Sequence, residues 1–257
     1  MRSETWIGSY LHRSGSLLEV VIIGIGGIGF ELADHLCRIL AFGSPFRGVK
    51  IIKVILIDGD TYQFRNAERQ YFDRIGNKAI VQAELLSKKF PRILFGAIPR
   101  FVGEKDSERV IAVESVVKEH RIVFLAPDNG KTRKIVNDWC ANLKDSVLIS
   151  GGNDVVDGYA HIYLRRNGQD ITPPLSYINP SVADPKDKSP GEMGCGELME
   201  AKPQLYLANL DVAQSMLILF YLLVCTPTSN GLPFFRLFCD TSTGKRRVVV
   251  NDQPFNH

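Results

Sequence analysis

The sequence predicts a doubly wound, mainly parallel α/β sheet, and three features of its 257 residues carry that reading. Short apolar runs at Leu17 to Ile23, Val49 to Ile57, Arg121 to Ala126 and Ser146 to Ser150 alternate with helical stretches, the rhythm of parallel strands buried on both faces. The first run passes directly into Gly24-Ile25-Gly26-Gly27-Ile28-Gly29, a strand followed by a glycine turn and then a helix. The second run stops at Asp58-Gly59-Asp60, which puts carboxylates at a strand's carboxyl end, the edge where open α/β sheets bind ligands.

Met1 to Ser16 is mixed and polar and reads as an arm, without an apolar core long enough for a secretory signal. After the glycine turn, Phe30 to Leu40 has a helical pattern, and Ala41 to Gly48, with two Gly and a Pro, is a loop. Asp60 to Gly76 is irregular. Lys78 to Phe90 is an amphipathic helix with Ile80, Val81, Leu85 and Leu86 on its apolar side, ended by Pro91. Arg92 to Val102 contains a strand, Glu108 to Glu119 reads as a helix, and Lys131 to Leu143 is a helix that leads to the strand at Ser146. The result is a Rossmann-like sheet over residues 17–166.

Composition bounds the function. A chain of 28.7 kDa with 45% hydrophobic and 23% charged residues suits one large soluble α/β unit with an appendage. A net charge of +3 and a pI near 8.5 are too mild to argue for nucleic acid. Five scattered cysteines, Cys37, Cys140, Cys195, Cys225 and Cys239, with no signal segment ahead of them, fit free thiols in a reducing cytoplasm. No pair has CxxC spacing, so no structural zinc is expected.

The chemistry concentrates in two places. Gly24, Gly26, Gly27 and Gly29 let the backbone turn tightly against a phosphate, while the following helix offers free N–H groups and its positive end. Such a turn does not by itself separate ATP from a dinucleotide. Downstream of Asp58 and Asp60, Asn66, Arg69, Gln70 and Lys78 place two cations and two amides within a short span, a set suited to gripping phosphate oxygens. Taken singly, Asp-Gly-Asp is also an ordinary turn, and Arg69 and Lys78 are ordinary solvated charges. Asp128 and Asn129 follow the strand ending at Ala126, where Asp128 is either a metal ligand or a helix cap. A nicotinamide-dependent oxidoreductase would share the glycine turn and the acidic strand end but has no evident use for the Asn66, Arg69 and Lys78 cluster. A scaffold that kept the fold without chemistry is the other rival.

The order GIGGIG, LIDGD (Leu56 to Asp60), NAERQ (Asn66 to Gln70), GNKA (Gly76 to Ala79) and DNGKTR (Asp128 to Arg133), then SGG (Ser150 to Gly152) and GYAHIYL (Gly158 to Leu164), resembles the ubiquitin-activating-enzyme-like superfamily, the ThiF/MoeB group, over Val20 to Leu164. The resemblance implies adenylation, in which ATP activates the C-terminal glycine carboxylate of a small ubiquitin-like or sulfur-carrier protein. It implies that the glycine turn holds the phosphates, Asp58 the ribose with Asp60 as the second carboxylate, and that Asn66, Arg69 and Lys78 clamp the phosphates while Asp128 holds Mg²⁺. Attack of one anion on another needs charge neutralisation by Arg, Lys and a hard metal ion, and a carboxylate already ionised needs no general base.

Asn167 to Gly194 is rich in Pro, Asp, Lys, Ser and Gly and reads as a long loop. By resemblance residues 167–200 form a crossover loop over the site, with Cys195 either a thioester nucleophile or an ordinary thiol. The family's paired CxxC zinc sites are missing. Pro203 to Cys225 is a strongly apolar helix interrupted by Asn209, Asp211 and Gln214, read as a core or dimer-interface helix and not a membrane span. Phe234 to Cys239 and Lys245 to Val250 form a terminal hairpin. This ending resembles ThiF-like proteins of bacterial PRTRC cassettes, which accompany ubiquitin-like, conjugating-enzyme-like and JAB-protease-like proteins. The family is commonly homodimeric, and a conjugating-enzyme-like acceptor belongs to the same expectation.

Overall fold

The computed structural model describes residues 5, 6, 8, 17–188, 205–227, 229 and 231–250. Their frame is one sheet. Strands β1 (Leu17–Ile23), β2 (Ile51–Ile57), β3 (Ile93–Ile98), β6 (Arg121–Leu125) and β7 (Ser146–Asn153) run parallel in the order β7-β6-β1-β2-β3. β8 (Asp157–Arg166), β10 (Arg236–Asp240) and β11 (Lys245–Val249) extend it antiparallel beyond β7, and β9 (Gln169–Asp170) pairs with β8. β1 continues through helix α1 (Gly27–Phe42) to β2 on one side, while its other neighbour is β6. The strand order therefore reverses at β1, and a crevice opens between the ends of β1 and β6.

The parallel strands are apolar on both faces because helices cover both. Leu18, Val20 and Ile22 of β1 point into a core shared with Leu32, Leu36 and Leu40 of α1 and with Phe220. Val21 and Ile23 point into the opposite core with Val136 and Cys140 of α4 (Gly130–Ala141). Helix α2 (Lys78–Lys89) packs on β2 and β3, buries Ala79, Val81, Ala83 and Leu86, and ends before Pro91. Helix α7 (Tyr206–Cys225) is long and apolar enough to cross a membrane by length and composition. Here it packs against α1, β7, β8 and β10, with Val212, Met216, Leu219 and Phe220 fully buried, so its apolarity goes into the core.

Several expected elements differ. The helix expected over Glu108 to Glu119 is instead strand β5 (Val110–Ala112) followed by a single turn, α3 (Val113–Val116), and His120 adopts φ 65 before β6. Val110 and Ile111 pair in parallel with β4 (Phe101–Gly103), and this second small sheet outweighs the helical spacing of Val113, Val116 and Val117. The strand expected within Arg92 to Val102 is β3, and a second strand, β4, follows it after Pro99-Arg100. The irregular stretch after Asp60 contains a 3₁₀ turn at Phe64–Glu68, and the helix after the glycine turn starts inside it, at Gly27. The expected loop from Asn167 holds β9 and two one-turn helices, α5 (Leu175–Ile178) and α6 (Pro180–Ala183). The terminal hairpin forms as β10 and β11, and Arg246 ties it to Asp211 of α7.

Candidate active site

The glycine turn sits at the sheet's switch point and is shaped by what surrounds it. Gly24 has φ +88, a left-handed conformation, and a Cβ there would lie 2.7 Å from the carbonyl oxygen of Ala126 at the end of β6. Its N–H donates to Ile57 O at 2.9 Å, so this one residue joins β2 to the β1–β6 crevice. Gly29 lies against the carbonyl oxygen of Gly24, and Gly27 lies against the Asn209 side chain of α7. Gly26 differs from these. It caps α1 without a side-chain hydrogen bond, and a Cβ on it would meet nothing within 4 Å. The first turn of a sixteen-residue helix thus presents its N–H groups to open space at the strands' carboxyl edge.

Two buried side chains hold the turn. Asp58 Oδ2 accepts from Ile25 N–H at 2.6 Å and its Oδ1 from Asp60 N–H at 2.8 Å, while Gln70 Nε2 donates to Ile25 O at 2.8 Å. Ile25 is gripped at both its donor and its acceptor. Burial pushes the Asp58 carboxyl up to about 6, against the opposing pull of Lys78. Lys78 Nζ lies 3.1 Å from Asp60 Oδ2, with the lysine nearly buried and the Asp60 carboxylate 55% exposed. The Asp-Gly-Asp turn is therefore built into the edge. Phe101 closes over Gly59, where a Cβ would lie 2.5 Å from the ring.

The other expected site residues divide. Asn66 Oδ1 accepts from Gln63 N–H at 2.8 Å and closes a capping box at the 3₁₀ turn, which also sets the backbone of half-buried Arg69. Asn129 is the cap of α4: its Oδ1 accepts from Thr132 N–H at 2.8 Å. The capping role considered for Asp128 belongs to its neighbour, and Asp128 is exposed, with no hydrogen bond to its side chain among the described residues. Cys195 lies outside the described residues. Among those described, no three His, Cys, Asp or Glu side chains group into a metal site.

Residues not singled out from sequence complete the edge. Asn77 Nδ2 donates to the carbonyls of Asp58 and Asp60 at 2.8 and 3.0 Å, while its Oδ1 caps α2 at Ile80 N–H. Its place just before an amphipathic helix was the available signal. Arg133, 7% exposed, donates to Ser150 Oγ, Pro127 O and Gly151 O at 2.9, 2.6 and 2.7 Å, stitching the ends of β6 and β7 together. Asn209 is fully buried, accepts from Asn153 Nδ2 at 3.0 Å and presses its own Nδ2 towards Gly27.

A reversed strand order, a locked glycine turn and an acidic strand end define a Rossmann-like α/β protein with a candidate nucleotide crevice. More specifically, the chain belongs to the ThiF family, whose model matches residues 13–188. It is 33% identical over 150 residues to "Adenylyltransferase and sulfurtransferase MOCS3" of Dictyostelium discoideum, covering 58% of this chain and 32% of that protein. It is 26% identical over 161 residues to "Ubiquitin-like modifier-activating enzyme 5" of the same organism, covering 57% of this chain and 39% of the other. The chain thus spans well under half the length of these relatives. Among solved structures, E. coli MccB with ATP superposes with a TM-score of 0.63 at 18% identity, over 95% of this chain and 66% of that one, a likeness of fold.

Proposed function

We propose that this chain adenylates the C-terminal glycine carboxylate of a small ubiquitin-like or sulfur-carrier protein, using ATP and releasing pyrophosphate. The observation that carries the reading is the open space at Gly26 on the uncapped start of α1, beside a turn held rigid by Asp58 and Gln70. That cradle suits a phosphate chain, and the names of the relatives favour ATP over a dinucleotide.

In this reading Asp58 keeps the turn in shape and offers its remaining lone pairs to a ribose hydroxyl, since a carboxylate accepts up to about four hydrogen bonds. Asp60 is the second acceptor and holds Lys78 for the phosphates, beside Arg69 and Asn66. Asp128 would hold Mg²⁺, whose charge would offset that of the α-phosphate. The residues supply position and positive field, and the incoming carboxylate supplies the nucleophile. Cys195 as acceptor of the activated carboxyl in a thioester, a conjugating-enzyme-like acceptor, a homodimer and a cytoplasmic location belong to the same proposal.

Thermal unfolding with Mg-ATP, with ATP plus chelator, and with NAD tests it. A ligand at about 100 times its dissociation constant stabilises by roughly 2.7 kcal/mol, a readily measured shift. The expected result is a shift with Mg-ATP that Asp128→Ala removes and chelation weakens. A shift with NAD alone would return the crevice to dinucleotide chemistry. Exchange of labelled pyrophosphate into ATP, with a candidate partner present, is expected to disappear in Arg69→Ala.

A further inference from the structure

Away from the crevice, the antiparallel extension carries a cation that no carboxylate among the described residues neutralises. Arg236 of β10 is 7% exposed, and its guanidinium lies over the rings of both Tyr159 and Phe238, at 4.5 Å from each centroid. Its one hydrogen bond among the described residues is Nη1 to Ile178 O at 3.3 Å, and its Nε is buried without a partner. No described carboxylate pairs with it. Arg247 of β11 stacks over the same Phe238 ring at 4.8 Å and adds a second, exposed positive charge. Burial and the nearby Arg247 both push the Arg236 guanidinium down from its usual range. An enclosed cation ordinarily has an anion beside it, because leaving a charge desolvated and unpaired is costly. Ring stacking recovers only part of that cost.

The place of this cluster in the sheet gives it a direction. Gly152, Tyr159, Phe238 and Arg247 are register partners across β7, β8, β10 and β11, a row that starts where Arg133 joins the end of β7 to Pro127. At Gly152 the guanidinium of Arg133 and the Tyr159 ring meet over the backbone, and a Cβ there would lie 3.1 and 3.2 Å from them. The row thus leads from the crevice beside Asp128 to the two arginines. β10 is three strands from β6, and at about 4.8 Å per strand the span is roughly 14 Å, or about four extended residues.

We infer that Arg236 and Arg247 recognise an acidic side chain about four or five residues before the terminal carboxylate of the partner's tail, and so select among tails that the crevice would otherwise accept. This rests on the adenylation reading for where the terminal carboxylate lies. Arg236 meets the acid as a planar fork held by its two rings, and Arg247 supplies long-range attraction from the rim.

The test uses the full chain and short synthetic peptides ending in glycine that differ only by Glu or Gln at each of the third to seventh positions from the end. Binding is measured by fluorescence anisotropy without ATP, and pyrophosphate exchange is measured separately. The expected result is about tenfold tighter binding for Glu at the fourth or fifth position, the value of one charge-assisted contact. That preference should vanish in Arg236→Met, which keeps the apolar stem, and weaken in Arg247→Ala, whose exposed site leaves folding intact. Absence of a Glu preference at every position, or a preference unchanged in both variants, overturns the inference. A Glu preference without pyrophosphate exchange keeps the inference and sinks the adenylation reading, whereas exchange with both peptides equally does the reverse.

Discussion

At the residue scale the glycine turn separates shape from chemistry. Gly24 and Gly26 are two residues apart, yet substitution of each has a different expected outcome. Gly24→Ala forces a side chain into φ +88 and against Ala126, so a loss of about 1–3 kcal/mol of stability is expected, read from urea unfolding. Gly26 has an ordinary φ of −76 and open space around it, so Gly26→Ala should leave the melting temperature nearly unchanged and remove the Mg-ATP shift. If Gly26→Ala still binds Mg-ATP with full affinity, the phosphates lie elsewhere. Asp58 gives a pH signature. Its folded carboxyl titrates near 6, above the ordinary range, so the folded state holds a proton that the unfolded state has already released between about pH 4 and 6. The contribution is therefore stabilising at the acid end and is lost as pH rises through 6. In Asp58→Asn that loss is absent, so the stability of the wild type relative to the variant should fall from pH 4 to pH 7. A difference flat across that range would mean that Asp58 is not buried as described.

At the element scale, what could be read from sequence depended on whether the deciding interaction is local. The parallel strands were legible because burial on both faces writes a continuous apolar run, whereas the cap of α4 was sought one residue early, at Asp128, and falls on Asn129, which accepts from Thr132 three residues on. The stretch from Glu108 was not, since Val113, Val116 and Val117 fit a helix until β4 offers Val110 and Ile111 a strand partner. Within the site, the carboxylates of the Asp-Gly-Asp turn were visible, but the grip of Gln70 on Ile25 spans 45 positions and no local pattern marks it. Arg133 closes the Asp128 to Arg133 motif with no role visible in it, because its partners Pro127, Ser150 and Gly151 come from two different strand ends. Arg133→Met removes all three bonds, to the buried Gly151 carbonyl and Ser150 hydroxyl and to the half-buried Pro127 carbonyl. A loss of about 3 kcal/mol is expected, with single buried polar groups each costing about 1–3. Urea unfolding with an unchanged m-value checks it, and a loss below 0.5 kcal/mol, the scale of an inconsequential surface change, would show that the stitch is not needed.

At the scale of the whole molecule, α7 decides whether the parallel half and the antiparallel extension behave as one body. It touches α1, β7, β8 and β10, its Asn209 reaches both Gly27 and Asn153, and Arg246 of the hairpin is anchored on its Asp211. Phe220 stacks with Phe46 at 5.9 Å and meets Phe124 edge-on at 5.7 Å, so the same helix closes the core beneath β6. A chain of this size often unfolds in stages, but a shared buried helix couples its two halves through one apolar contact surface. A single transition is therefore expected, with far-UV dichroism of the whole chain coincident with the fluorescence of Trp139 read in a Trp6→Phe variant, Trp139 being anchored to Val117 O at 2.8 Å on the parallel half. Mg-ATP should move both signals together, although it is expected to touch only the crevice, because stabilisation at α1 passes to the extension through α7. Phe220→Ala creates a cavity where the aromatic rings meet and should cost about 3–5 kcal/mol. If that variant instead splits the two signals into separate transitions, the halves are independent domains joined by a helix, and binding in the crevice could not stabilise the arginine row on the extension.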